Sequence, residues 1–568
     1  MADGSDAIGF TREEGSDRTW EVRLKRNRYA LICLVSLLAF SPASGQSSRP
    51  KLVLVLSIDQ MRYDYLTRFS DLYKGGLRTL IDRGAVFTNA NYRHAATETG
   101  PGHSVILSGR HPSHSGIVAN DWWDPYLKKS INVVEDPAQS PVGGEGRGAS
   151  PVNALSFTVG DLLKLRNPNS HVIGISLKDR SAVLMAGRRG DAAYWYETIG
   201  GNFITSTYYM KEAPSWLIKF NGQHMADRYF GKQWTRLLPD EHVYEKYAGK
   251  DAVEGEWDRK DIVFPHNIRG NAQTQEYYDD LRRTPAADEM TVSAALEAMK
   301  AHHLGEDDAP DIFAIGFSGT DFIGHTYGPD SQEQMDELLR LDRVLDKLFK
   351  EIDVRIGLKN TIVLLTADHG ALPLVENLQA KGIDARRVKP SVLEDAVHQA
   401  LQRRFPGVPD LFTRIDSNFY LHEDIIRQWN LDRRIVESTA IEALMATGFV
   451  EKVYTHSDLL NNSASDDPYL PLFRNAFFQP RSPHLIVLVK QYTYVGERPG
   501  GTGHGTAYEY DRHVPIAFMG TGIKPGLYSE SCEPEDIAPT LARLLGFTYP
   551  LEDDSRLLKE MIQYGGAE

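Results

Sequence analysis

KLVLVLSID, residues Lys51 to Asp59, is the stretch from which the rest of the chain can be read. Leu52 to Ile58 is apolar except for Ser57, and a carboxylate follows at once. An apolar run without polar alternation suits a strand covered on both faces, as in a parallel sheet. Similar runs recur at His171–Leu177, Asp311–Phe317, Thr361–Leu365, Leu485–Val489 and Val514–Met519. Helical patterns lie between them. Ser331–Lys350 sets Met335, Leu338, Leu345, Leu348 and Phe349 near one face, and Glu535–Leu545 reads as a second helix closed by Gly546. This alternation predicts an α/β fold with a mostly parallel central sheet and helices on both faces. Two segments interrupt it, at about 191–288 and about 371–483. Both lie between motif-bearing strands and are read as cap insertions, not separate domains.

Chemistry-bearing residues follow the runs. Asp59 stands in S-I-D-Q, Asp321 and His325 in G-T-D-F-I-G-H, Asp368 and His369 in T-A-D-H-G, and His504 in G-T-G-H-G. Thr99 stands in T-E-T-G-P-G-H. Residues just past strand C-termini line the crevice of an open α/β sheet. Asp321 and His325 are four apart and share one helical face. Three carboxylates, three imidazoles and a hydroxyl form the ligand inventory of a two-metal hydrolytic site, and zinc takes both ligand types. Mixed nitrogen and oxygen ligation leaves other divalent ions open. Thr97 competes with Thr99 as the hydroxyl. Thr99 is preferred because it abuts the Gly-Pro-Gly turn, where helix N–H groups favour an anion. His103 reads as a structural partner of that turn.

Two further motifs concern the substrate. Asn120 lies in V-A-N-D-W-W-D, 21 residues after Thr99, and Lys178 and Arg180 lie in S-L-K-D-R-S-A. A phosphate monoester has three non-bridging oxygens and about two negative charges, so it needs donors beyond the metals. A Lys-Arg pair suits it and crowds a diester. Asp179 could neutralise one of the pair, and the sequence does not place Arg188 and Arg189.

As a set, these motifs resemble the alkaline phosphatase superfamily, from about Leu52 to Pro539. The specific likeness is to phosphate-irrepressible alkaline phosphatases and their relatives, the type I phosphodiesterases and nucleotide pyrophosphatases. The resemblance implies two zinc ions. Asp59, Asp368 and His369 would hold the ion that binds Thr99, and Asp321, His325 and His504 the other. It implies phosphate monoester hydrolysis through a phospho-threonine at Thr99, with Asn120, Lys178 and Arg180 binding phosphate. The sulfatase branch needs a Cys or Ser in C/S-x-P-x-R, and neither Thr99 nor Cys532 stands in one. Nucleotide pyrophosphatase or phosphodiesterase activity at the same site is the alternative. An exported binding protein with structural metals is the other-class reading.

The 568 residues exceed one simple core, in keeping with insertions. A formal net charge of −14 argues against a dedicated nucleic-acid surface. It leaves room for small anionic phosphate esters, since buried cations and metals set the local field. Near the start, Arg23, Lys25, Arg26 and Arg28 precede the apolar stretch Tyr29–Phe40 and the small residues Ala43-Ser44-Gly45. That order is a secretory signal, and its apolar part is too short for a comfortable bilayer span. Residues 1–45 are therefore read as an extension and signal peptide, and 46–568 as a catalytic domain in the periplasm or outside the cell. No stable membrane insertion is expected after signal removal. The only cysteines are Cys33, inside the signal segment, and Cys532, so the processed chain has no internal disulfide.

Overall fold

A computed structural model describes residues 49–257, 260–461 and 463–563. The stretch read as a signal peptide, residues 1–45, lies outside them. The core is a ten-stranded sheet. Its spatial order is Gly526–Tyr528, Ala85–Phe87, Ile516–Gly520, Thr361–Thr366, Leu52–Ile58, Asp311–Phe317, Val172–Ser176, Ala192–Tyr196, Phe203–Ser206 and Pro141–Val142. From Thr361–Thr366 across to Ala192–Tyr196 every neighbouring pair is parallel. Leu52–Ile58 shows why an unbroken apolar run was needed. Leu52, Leu54, Leu56 and Ile58 face one cluster, and Val53 and Val55 face another. Met290, Met335, Leu338 and Leu345, from helices Ala286–Ala301 and Gln332–Arg355, cover the first face. Ile106, Leu163, Ile537 and Leu541, from Thr99–Ser108, Val159–Arg166 and Ile537–Leu544, cover the second. Truncating a buried Leu here to Ala would cost about 2–5 kcal/mol.

Three expectations need correction. Leu485–Val489 belongs to a separate four-stranded sheet, ordered Phe412–Ile415, Asn418–Leu421, Leu485–Val489 and Val450–Thr455. Its neighbours there are antiparallel. An apolar run reports only that both faces are covered. Leu485, Val487 and Val489 meet one cluster while Ile486 and Leu488 meet another. The run at Val514–Met519 does yield a strand of the main sheet, Ile516–Gly520, but it pairs antiparallel with both neighbours. Finally, the segment read as an insertion from about 191 begins as sheet, with Ala192–Tyr196 and Phe203–Ser206. The strand AAYWY is short, and although Tyr194 and Trp195 favour sheet, its five residues sit within a long aromatic and charged segment that shows no extended apolar run.

The excursion after Ser206 contributes Leu217, Phe220, Tyr244 and Tyr277 to the main core. The stretch 371–483 builds its own core instead, around Leu393, Val397, Phe419, Val436 and Leu444. The helix expected at Ser331–Lys350 runs from Gln332 to Arg355, capped by the Ser331 side chain, which accepts from the Gln334 N–H. Among the described residues no helix is long and apolar enough to cross a membrane.

Candidate active site

Four adjacent parallel strands deliver most of the site along one edge of the sheet. Just past their ends stand Asp368 and His369, Asp59, Asp321, and Lys178, in spatial order. Backbone bonds lock the ends together: the Asp59 N–H donates to the Phe317 carbonyl at 2.9 Å, and Thr320 Oγ1 donates to the Asp59 carbonyl at 2.5 Å. Asp321 and His325 sit on the helix Gly319–Tyr327. Thr99 is the first residue of the helix Thr99–Ser108. That helix can lie on the Asp368 strand end because residue 102 is glycine: a Cβ there would stand 2.2 Å from the Asp368 carbonyl oxygen. Gly174 does the same for the Lys178–Arg180 turn, since its Cβ would meet the Ala182 carbonyl at 2.2 Å.

The six ligand-type residues fall into two groups, Asp59 with Asp368 and His369, and Asp321 with His325 and His504; within each, one potential ligand atom per residue lies within 4.8 Å of the others. All three imidazoles are oriented alike. Nδ1 of His369, His325 and His504 donates to the carbonyls of Gly370, Thr502 and Thr97, at 2.9, 2.7 and 2.8 Å. Each Nε2 lone pair is thereby turned toward the carboxylates. His369 Nε2 is 3.5 Å from Asp59 Oδ1 and 3.4 Å from Asp368 Oδ2. His325 and His504 Nε2 are 3.2 and 3.8 Å from Asp321 Oδ1. Fixing the ring by its second nitrogen is how histidine is prepared for a metal.

The electrostatics fit a cation. Burial, then Asp321 and Asp368, push the Asp59 carboxyl well above its usual range. Burial would push Asp321 and Asp368 up too. Lys178 and His325 hold Asp321 well down, and His369 and His103 hold Asp368 down. Lys178 Nζ stands 2.6 Å from both Asp59 Oδ2 and Asp321 Oδ2. Asp59 Oδ1 and His369 Nε2 are buried without a hydrogen-bond partner, and Asp59 Oδ2 has only the Lys178 ammonium. Orphaned, converging anionic and imidazole ligands are what a divalent ion satisfies.

The structure separates the two threonines. Thr97 Oγ1 donates to the Thr506 carbonyl at 2.8 Å, so that hydroxyl is taken up in holding the His504 loop. Thr99 Oγ1 accepts from Lys178 Nζ and from Arg180 Nη2, each at 3.3 Å. Asn120 Oδ1 accepts from the Gly100 N–H at 2.8 Å, and the Asn120 backbone N–H donates to Glu98 Oε2 at 2.8 Å. Asp179 does not cancel Arg180. Its carboxylate pairs with Arg147 at 2.8 Å. Arg188 Nη1 donates to the Ala154 carbonyl and the Arg189 backbone N–H to Asp161, while the donors at Thr99 Oγ1 are Lys178 and Arg180. His103 is a positioning residue, with Nδ1 2.9 Å from the Thr99 carbonyl and 3.1 Å from Asp368 Oδ2.

Three residues escaped the sequence reading. Gln60 is fully buried with a left-handed φ of 63°. Its N–H donates to Asp368 Oδ1 at 3.1 Å and its side-chain amide to Asp321 Oδ1 at 3.0 Å, so it bridges the two groups. A non-glycine residue in that conformation costs about 1 kcal/mol, which the two bonds offset. Its place directly after Asp59 was the available signal. Asp511 accepts from the Thr506 N–H and hydroxyl at 2.8 and 2.6 Å, securing the loop that carries His504. Glu98 walls a cavity of about 280 Å³ with Asn120, Asp416, Tyr420, Ile486 and His504. Burial and Asp416 push its carboxyl up to about 8.

With this geometry in place, comparisons with known proteins define the class. The sequence model of the type I phosphodiesterase / nucleotide pyrophosphatase family matches residues 53–513, and the chain belongs to that family. Within it, the chain is a phosphatase of the alkaline phosphatase group. It is 34% identical to alkaline phosphatase PhoV of Synechococcus elongatus over 523 residues, 91% of this chain and 94% of PhoV. It is 32% identical to alkaline phosphatase PafA of Elizabethkingia meningoseptica, covering 94% of this chain and 98% of PafA. The crystal structure of PafA superposes with a TM-score of 0.84, covering 90% of this chain and 99% of that one. A PafA variant, with one threonine changed to serine and one asparagine, one lysine and one arginine changed to alanine, superposes at 0.83 with 30% identity.

Proposed function

We propose that this chain is an exported phosphomonoesterase that works through a covalent phospho-threonine at Thr99. One observation carries the reading: Lys178 Nζ and Arg180 Nη2 both point at Thr99 Oγ1, at 3.3 Å each, with Asn120 beside the same helix start. Hydrogen bonds donated to an oxygen favour its deprotonated form, so both cations prepare Thr99 as an alkoxide. The same donors, with the Asn120 side-chain amide, can take the non-bridging oxygens of a dianionic phosphoryl group. Asp59, Asp368 and His369 would hold one zinc ion and Asp321, His325 and His504 a second, supplying positive charge for the attacking and leaving oxygens. Thr99 Oγ1 attacks phosphorus in line. Thr99 gives its hydroxyl proton to solvent, the Oγ1–phosphorus bond forms as the ester bond breaks, and the alcohol leaves with a proton from solvent. Water then cleaves the phospho-threonine, releasing inorganic phosphate and regenerating the hydroxyl. Export is supported by the basic and apolar order of residues 23–45.

The PafA variant lends weight, since the residue types changed in it match Thr99, Asn120, Lys178 and Arg180 in chain order. Hydrolysis of diesters or pyrophosphate bonds is the second reading, favoured by the family's description. It gives Lys178 and Arg180 less to do, because a diester lacks the third charged oxygen. Acid quenching during turnover of an aryl phosphate, followed by peptide mapping, tests the intermediate. The expected adduct is a phosphate on Thr99, lost in Thr99→Ala together with more than about 10³-fold of the rate. Full activity in Thr99→Ala would reject the nucleophile.

A further inference from the structure

Lys178 and Arg180 are the inner end of a longer row of cations. The Phe322 ring, next to Asp321 on the same helix, lies under two of them. Lys178 Nζ is 5.3 Å from its centroid and the Arg282 guanidinium 4.4 Å. Burial, then Arg283, bring the Arg282 pKa down to about 10, and Arg180 pushes the same way while Asp321 opposes. Arg282 is thus within electrostatic reach of Arg180 and Asp321, and shares the Phe322 ring with Lys178. Beyond it, the Trp257 indole is ringed by the guanidiniums of Arg283, Arg498 and Arg269, at 4.7, 4.6 and 4.9 Å.

This array is anchored to one side of the site. The Trp257 N–H donates to the Thr326 carbonyl at 2.8 Å, one residue beyond His325. Gly501 fits between them, since its Cβ would lie 2.4 Å from the His325 carbonyl oxygen and 3.8 Å from Trp257 Cα. The arginines therefore stand beside Asp321 and His325, where the leaving oxygen departs under the reading above. Three of these four arginines have carboxylate partners. Asp279 pairs with Arg282 and Arg283, and Asp280 with Arg269 and Arg283. Burial and Arg283 lower the Arg498 pKa against Tyr494, with no carboxylate among the groups acting on it. Crowded, part-desolvated guanidiniums repel one another, and a shared oxyanion relieves that cost. Their planar forks suit phosphate in particular. On the Asn120 side the cavity wall carries Glu98 and Asp416, carboxyls that offer a second anion no positive charge.

We infer that Arg282, Arg283 and Arg498 form a subsite for a second phosphate on the leaving portion of the substrate, so that bisphosphorylated small molecules are preferred over esters of neutral alcohols. The inference rests on the phosphomonoesterase reading for the direction of the leaving group. The experiment is calorimetric binding of propane-1,3-bisphosphonate and propylphosphonate to the zinc-loaded protein. Wild type and the double variant Arg283→Gln/Arg498→Gln are compared, with turnover of the matched phosphate esters measured alongside. Wild type should bind the bisphosphonate about tenfold or more tightly than the monophosphonate, and the double variant should lose that margin. The margin should also shrink with salt. Equal affinities in wild type, or a margin that survives both substitutions, would overturn the subsite. An intact margin without turnover of either ester would instead sink the hydrolytic reading and leave the subsite standing.

Discussion

Asp59, Asp368 and His369 are sealed from solvent, whereas the side chains of His325 and His504 remain 29% and 10% exposed. The first group stands on two adjoining strand ends and is clamped by the sheet. The second is assembled from one turn of helix and a loop that begins about 180 residues further along. That loop is held by side-chain and backbone contacts alone: Arg387 donates to the Gly501 carbonyl, Thr502 to Leu372, and Thr506 to Asp511. Two groups with similar ligand chemistry thus differ in how rigidly they are prepared. On the proposed two-zinc reading, the buried group should hold its ion more tightly, and the half-open group should exchange first.

The largest expected effect comes from removing one ligand of each. Asp59→Ala deletes a buried ligand and one partner of Lys178, and should lower kcat/KM by about 10³-fold, the scale of several kcal/mol of lost charge stabilisation. His325→Ala should lose only the second zinc at chelator concentrations that leave the first in place. Zinc content across a chelator series, read beside the rate, checks both, and loss of both ions together in His325→Ala would break the comparison. Gln60→Ala sharpens it. The backbone N–H to Asp368 survives and only the side-chain bond to Asp321 is removed, so zinc affinity should fall about 10–100-fold at the second group while the first is spared. Equal weakening of both would show that Gln60 acts through the backbone strain instead.

A smaller effect is expected at Asp511, which supports the second group from behind. Burial raises its carboxyl from an ordinary 3.8 to about 7, against the pull of the Thr506 bonds. A carboxyl whose folded pKa is raised gives stability that is complete below its unfolded pKa and is lost as pH climbs through the folded one. Asp511→Asn keeps the shape and an acceptor without the charge. Relative to that variant, wild type should lose thermal stability as pH rises from about 4 through about 7. Parallel melting curves for the two proteins across that range would contradict the assignment.

The legibility of this chain follows the same division. Strands buried on both faces are visible as apolar runs, and a carboxylate placed directly after one, as at Asp59, announces a sheet edge with chemistry on it. Runs cannot say which sheet they join, and Leu485–Val489 carries the same signature inside the smaller one. The ligand-type residues could be gathered from their motifs, but the residues that hold them in place could not. Gln60 looks like an ordinary polar residue until its φ and its two acceptors are seen. Arg282 and Arg498 look like solvated charge until Phe322 and Trp257 bring them beside His325. Contacts between residues hundreds of positions apart leave no local pattern to read.

The most direct test is a paired assay on zinc-loaded protein, comparing an aryl phosphate monoester with its methyl diester in wild type and Arg180→Ala. A large monoester preference that collapses when Arg180 is removed is the predicted result, because Arg180 serves the charge that only the monoester carries. A diester preference, unchanged by the substitution, would contradict it and move the chain to the diesterases of its family.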